Sequence, residues 1–543
     1  MLSELIRRAE DGEPLWLPDL RDAFFSMPGT AALTLRLHRL DGSTEELEYR
    51  LPRWESPEER CFVEEYLSAS VYNLLSAASG QELCFIYDSD NVQLHGLICR
   101  IPEIFRQPGY RKVLQVAERL CSASSLPPFR FSRLDRKSYH TEAEEAQQPS
   151  GDLAEILRRK VLAADHLTLC GIDIGGSDIK LALSLGGRLI CTGEYDWNPA
   201  ASATAEAILT PIAEQLLLLR RNAAELLGHP ETLPLPDAIG VSFPDIVMDD
   251  RIVGGETPKT AGIRRSAAAR YEEEFRKLSG LKELLLRQCR PGASVHIVND
   301  GNMAAFTAAA ELASGRETEV PESGLLAHTL GTDFGTGWLQ PDATVPKLPL
   351  ELYDLILDLG SRPASCYDPQ DLRSTRNENS GLPGARRYLG QDAAFRLAYA
   401  ENPSLLDGFL REDGEVLRIP TQPADLRKPC LQHLMQLAKE GCPEACQVFR
   451  QIGFHLGMIS RELAFLLRPQ TFVRYIYGRF VKDECCFSLL SEGCASCMPE
   501  LRLIAPDENL AMTPLMRQLA KRPGVTVAQF GQAVGALYYA VKV

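Results

Sequence analysis

No apolar run in this chain approaches the roughly 20 residues that a membrane-spanning helix requires, so no helical span and no membrane partner are expected. Basic residues are in deficit: 58 Lys and Arg against 73 Asp and Glu leave a net charge of −15. Nucleic acid, which is recognised through a cationic face, is therefore not expected as a partner. The opening MLSELIRRAEDGEPLW lacks the apolar stretch of a secretory signal, and a cytoplasmic location is expected. Cysteine is plentiful, yet its 15 copies are odd in number and follow no framework spacing, which favours reduced thiols over disulfides. Cys494 and Cys497 form a CxxC close to Cys485-Cys486, and no histidine follows Cys485. A zinc site there would need cysteine for all four ligands, so structural zinc is not expected.

What is present is organised in two parts. At 543 residues the chain exceeds one ordinary core. Residues 1–150 read as a smaller α+β domain of unknown role with a linker. Ala31 to Leu51 alternates as a hairpin turning at Asp41-Gly42, Glu58 to Ala78 has helical period, and strands are predicted at Leu83–Tyr87 and Val92–Cys99. Leu126 to Gly151 reads as linker, and Arg7-Arg8 and Arg111-Lys112 as solvated helix faces. From Leu167 onward strands and helices alternate, the pattern of an α/β core. Ser266 to Gln288 reads as helical, and residues 340–427, rich in proline and polar clusters, as an insertion.

Three clusters carry chemistry. In Leu169–Leu183, LCGIDIGGSDIKLAL, two short strands flank Gly175-Gly176-Ser177. Residues without Cβ there let backbone amides approach a phosphate, and the serine adds a hydroxyl. Asp173 places a carboxylate inside an apolar strand, where a hydrated magnesium ion beside a nucleotide is one partner that offsets its burial. A second cluster, Gly331-Thr332-Asp333-Phe334-Gly335-Thr336-Gly337, follows another strand. Between the two lies Asn299-Asp300-Gly301-Asn302, at the end of the apolar strand Val295–Val298 and before a helix. A carboxylate at Asp300 can accept a proton from a hydroxyl that attacks a phosphate, or it can simply cap the helix. Asn299 and Asn302 supply groups suited to sugar hydroxyls.

In order and spacing, Gly171-Ile172-Asp173-Ile174-Gly175-Gly176-Ser177, Ile239-Gly240-Val241-Ser242-Phe243-Pro244, Asn299-Asp300-Gly301-Asn302 and Leu330 to Gly337 resemble the sugar kinases of the ROK family. The resemblance covers about Leu167 to Val543. It implies a two-lobed, actin-like ATPase (ribonuclease H-like) core, with residues 165–300 as the first lobe and 301–543 as the second; a return of the final helix, Val527–Ala540, to the first lobe is left open. It further implies ATP and Mg2+ as cofactors, with Asp173, Gly175, Gly176, Ser177, Gly331, Thr332, Gly335, Thr336, Gly337 and Gly478 at the nucleotide and Asp173 reaching the metal through water. Asp300 would be the general base, Asn299, Asn302 and Glu351 would contact the sugar, and Arg474 to Gly478, with Gly531 and Gly535, would lie toward the adenosine. The resemblance also favours a homodimer.

The chain departs from the family pattern in places. Asp178 stands where the family has lysine, Asp245 where it has glycine, and Thr257-Pro258-Lys259 where it has Thr-Pro-Asn. The family's histidine-and-cysteine zinc element is missing, with Cys366 alone in the corresponding stretch. The expected function is an ATP-dependent sugar kinase. The alternatives are a sugar- or nucleotide-sensing regulator that has lost efficient transfer, and an inert core joined to a docking domain.

Overall fold

The computed structural model describes the chain apart from residues 1, 140–148, 256–257, 267, 316–317, 332–333, 361–370, 375–381, 383, 414–415, 419–425 and 508–510. The described residues form two compact units, one comprising Met1–Gln147, His328–Thr336 and Leu348–Ala505, the other Gln148–Ala327, Gly337–Lys347 and Pro506–Val543.

The second unit is built on a five-stranded sheet. Strand Thr168–Ile174 pairs antiparallel with Asp178–Leu185, which pairs antiparallel with Arg188–Asp196. On the other side Ala238–Phe243 and then Ser294–Asn299 run parallel to it. An antiparallel triplet extended by two parallel strands is the ribonuclease H-like order that the resemblance implies. Alternation sends Ile172 and Val241 into a core with Ile208, Ile212, Leu216 and Leu219 of helix Ala205–Leu226. The neighbouring positions Gly171 and Gly240 turn to the opposite face, where the helix Val527–Tyr539 lies almost on the strand backbone. A Cβ at either glycine would fall 1.9 Å from a helix carbonyl, Ala533 O or Ala536 O. Only residues without a side chain allow that approach. The segment expected as helix from Ser266 to Gln288 is instead broken into Tyr271–Arg276, a 3-10 turn at Lys277–Gly280, and Leu281–Leu286.

The first unit contains the N-terminal residues, but not as a domain of their own. Their four-stranded sheet runs Thr44–Leu51, Ala31–His38, Glu82–Tyr87, Arg130–Asp135. The hairpin has the register Ala31↔Leu51 to His38↔Thr44. The expected strand Val92–Cys99 is a helix, Val92–Ile104, begun by the Asn91 side chain accepting from Leu94 N at 3.1 Å. Its buried residues Leu94, Leu97, Ile98 and Ile101 have helical spacing. Part of the expected linker supplies the fourth strand, Arg130–Asp135, parallel to Glu82–Tyr87.

A buried polar network joins this segment to residues 348–505. Arg21 pairs with Glu462 at 2.5 Å with side chains 7% and 0% exposed. The other Glu462 oxygen accepts from Asn73 Nδ2 at 3.0 Å, and Asn73 also exchanges hydrogen bonds with the Ile356 backbone. Lys112, expected on a solvated face, is buried against Asp354. Asp358 accepts from Leu15 N at 2.7 Å, and Trp16 packs on Tyr388, Phe454 and His455. Separating these parts would leave buried charges unpaired, which is why the boundary expected near residue 150 does not isolate residues 1–147.

A further sheet orders Phe334–Leu339, Leu325–Leu330, Val473–Gly478 and Arg502–Ile504. Helix Glu484–Ala495 carries Cys486 and Cys494, whose thiols burial pushes up to about 12. Cys497 Sγ donates to Phe454 O. No group of three or more metal-capable side chains occurs among the described residues, nor is any helix among them long and apolar enough to cross a membrane.

Candidate functional site

The centre of the site is the junction between strand Ser294–Asn299 and helix Asp300–Ser314. Sequence left open whether Asp300 caps this helix. The structure gives that role to Asn299, whose Oδ1 accepts from Gly301 N at 2.9 Å and Asn302 N at 3.4 Å, while its Nδ2 donates to Asp245 O at 2.9 Å. Its amide oxygen is thus committed to the helix start and one of its two N–H groups to the loop. Asp300 becomes the first helical residue, half-buried, with Oδ1 accepting from Gly301 N at 2.9 Å. Its backbone carbonyl is held from the C-terminal helix: Gln532 Nε2 donates to Asp300 O and to Ser242 Oγ, both at 2.9 Å. Gln532 was missed in the sequence, although a polar residue three positions from Gln529 on an apolar helix is a signal.

Gly337 and Asn302 fix the other side of the junction. Trp338 N donates to Asn302 Oδ1 at 2.9 Å, and a Cβ at Gly337 would fall 1.8 Å from Gly301 O. Backbone meets backbone here, so Gly337→Ala must displace the turn that carries Asp300. The substitution should cost about 3 kcal/mol, read as a lowered urea midpoint.

Asp173 stands on the central strand, half-buried. Burial pushes its carboxyl up to about 6; a hydrogen bond from Ser242 opposes the rise, and the charge of Asp300 adds to it. Because its ordinary value is 3.8, the protonated form stabilises the fold below that pH, and this contribution is lost as pH rises through about 6. Asp173→Asn keeps the neutral form at all pH. Relative to wild type its melting temperature should rise between these two values, by an equivalent of about 3 kcal/mol, in a series of melts at fixed ionic strength.

The first glycine turn joins the strand of Asp173 to the next. Gly175 N donates to Asp178 O at 2.8 Å, and Trp197 clasps the turn through its backbone N–H on Ser177 O at 3.0 Å and its indole N–H on Gly175 O at 3.1 Å. Among the described residues the N–H groups of Gly176 and Ser177 have no acceptor, and both residues are exposed. Asp178 is drawn into an ion pair with Lys180 and accepts from Ser177 Oγ at 3.2 Å. The stem of Lys259 lies alongside, its Cε 3.3 Å from where a Cβ on Gly176 would be. A cation therefore borders this turn even though position 178 is an acid. Asp245, replacing a glycine, clamps its own loop by accepting from Ile246 N at 2.7 Å and Gly255 N at 3.0 Å.

The remaining predicted residues have other settings. Gly331, Gly335, Thr336, Gly478 and Glu351 belong to the first unit. Gly331 O accepts from Gln391 N, and Gly335 N donates to Thr329 Oγ1 at 3.0 Å. Thr336 Oγ1 is 3.0 Å from His328 Nδ1 in the interior. A Cβ on Gly478, at φ +126°, would fall 2.0 Å from Leu330 O, so Gly478 is set beside the strand that leads into Gly331. Glu351 is half-buried and its N donates to Ser76 O at 3.0 Å. Gly535 packs on Thr307, whose Oγ1 would be 2.0 Å from an added Cβ; close helix packing accounts for it. Thr332, Thr257 and Cys366 lie outside the described residues.

No protein-family model matches the sequence, and no curated protein does. Solved structures do match. A ROK family glucokinase from Streptomyces griseus, in complex with glucose and AMPPNP, aligns with 69% of this chain and 99% of its own at 19% identity and a TM-score of 0.41. The ROK hexokinase from Thermus thermophilus aligns with 69% of this chain and 97% of its own at 18% identity and a TM-score of 0.40. For a glucokinase from Balamuthia mandrillaris in complex with glucose the figures are 72%, 98%, 13% and 0.40.

Proposed function

We propose that this chain is an ATP-dependent sugar kinase in which Asp300 accepts the proton of the attacking sugar hydroxyl. The observation that carries the proposal is the division of labour at the junction. Asn299 caps the helix, Gln532 and Gly337 fix the backbone, and the Asp300 carboxylate is left at the helix start with Gly301 N as its one described donor. A base must be held rigidly and reach its proton directly, and this arrangement supplies the first requirement.

The free amides of Gly176 and Ser177 suit phosphate oxygens, and Lys259 brings positive charge beside them. Asp173 fits magnesium as that ion is usually held beside nucleotides, by one or two carboxylates with the rest of its shell from water and phosphate. The burial that raises its pKa leaves a carboxylate that gains from a cation. Bound magnesium would neutralise the phosphate charge that develops during transfer. Asn302, anchored through Oδ1 to Trp338 N, lies next to the base and is proposed to contact the sugar. ADP release, assayed over a panel of hexoses, amino sugars and hexonates, tests this reading. ADP should form only with a matching sugar. A thermal shift with a sugar and no ADP would favour the sensing role instead.

A further inference from the structure

A second group of chemically matched side chains occurs on the N-terminal sheet, drawn from three elements of the first unit. Cys99 and His95 share one face of helix Val92–Ile104, one turn apart, with His95 Nε2 at 3.6 Å from the Cys99 sulfur. Tyr87, at the end of strand Glu82–Tyr87, places its hydroxyl 2.8 Å from His95 Nδ1. Arg133, on the adjoining strand Arg130–Asp135, points its guanidinium at the Cys99 sulfur. Among the described residues that sulfur is the sole polar partner of the Arg133 side chain, which pairs with no carboxylate. Arg133 and His95 are exposed, and Cys99 is half-buried.

We infer that Cys99 is a reactive thiol that forms mixed disulfides with low-molecular-weight disulfides. Each neighbour has a definable part. With His95 Nδ1–H donated to the Tyr87 oxygen, the Nε2 lone pair faces the sulfur. Nε2 takes the thiol proton, and Arg133 stabilises the thiolate. The thiolate then bonds to one sulfur of the incoming disulfide. The S–S bond breaks, and the departing half leaves as a thiolate that takes the proton back from His95. One disulfide is consumed and one is made, so no other oxidant is needed. None of these groups belongs to the proposed kinase site, so the inference stands independently of that reading.

Cys61, the exposed cysteine among those described, is the internal control. The full-length protein is incubated with oxidised glutathione at pH 7, and glutathionylation of each cysteine peptide is followed by mass spectrometry. Cys99 should react at least about tenfold faster than Cys61. His95→Gln and Arg133→Gln, both at exposed positions, should each slow Cys99 toward the Cys61 rate while leaving Cys61 and the melting temperature unchanged. A Cys99 rate no greater than that of Cys61, or one unaffected by both substitutions, overturns the inference.

Discussion

Asp300→Asn should lower sugar-dependent ADP formation by about a thousandfold, the scale of a lost general base, with no loss of melting temperature. The prediction separates chemistry from folding because the two duties at this junction fall on different residues. Asn299 provides the cap, and the backbone carbonyl of Asp300 still accepts from Gln532 in the variant. The one hydrogen bond made by the Asp300 carboxylate among the described residues, from Gly301 N at 2.9 Å, can be made equally by an asparagine carbonyl oxygen. The substitution removes the capacity to take a proton, together with the negative charge that helps to raise the Asp173 carboxyl. Unchanged turnover would remove Asp300 from the mechanism. Asn299→Ala should behave in the opposite sense, destabilising the helix start through loss of its cap.

Glu462→Ala should destabilise the first unit by about 3–5 kcal/mol, the range for breaking a buried ion pair from one side. Glu462 is fully buried and receives Arg21 on one oxygen and Asn73 on the other, so its removal strands a cation that also lies 3.9 Å over the Phe465 ring. Replacing both partners, Arg21→Met with Glu462→Met, removes the unpaired charge and should recover most of the loss. Urea unfolding of Arg21→Met, Glu462→Met and the double variant measures the coupling. A Glu462→Ala variant as stable as wild type would mean that residues 1–147 do not depend on this network.

Much of the second unit was legible because its signals are local. Two strands around Gly175-Gly176-Ser177 and an apolar strand running into Asp300 announce themselves through short-range pattern and turn residues. The misreadings fall where short-range signals compete. Val92–Cys99 contains β-branched and apolar residues that fit a strand, yet the Asn91 cap and the spacing of Leu94, Leu97, Ile98 and Ile101 favour a helix. Lys112 reads as solvated because its partner, Asp354, is 242 residues away. Gly171, Gly240 and Gly337 look like phosphate-motif or strand glycines, and their demand for close backbone approach is visible only with the opposing chain in place.

By itself the sequence determined the alternation that makes an α/β core, the glycine turn after Asp173, and a carboxylate at a strand-to-helix junction, since each depends on neighbours a few residues apart. The tertiary structure alone decided that Asn299 and not Asp300 caps the helix, that Gln532 steadies the junction from the far end of the chain, and that residues 1–147 are bound into one unit with 348–505. The physical reason is common to all three. A buried polar group must find a partner, and the partner can lie hundreds of residues away, where no local pattern records it.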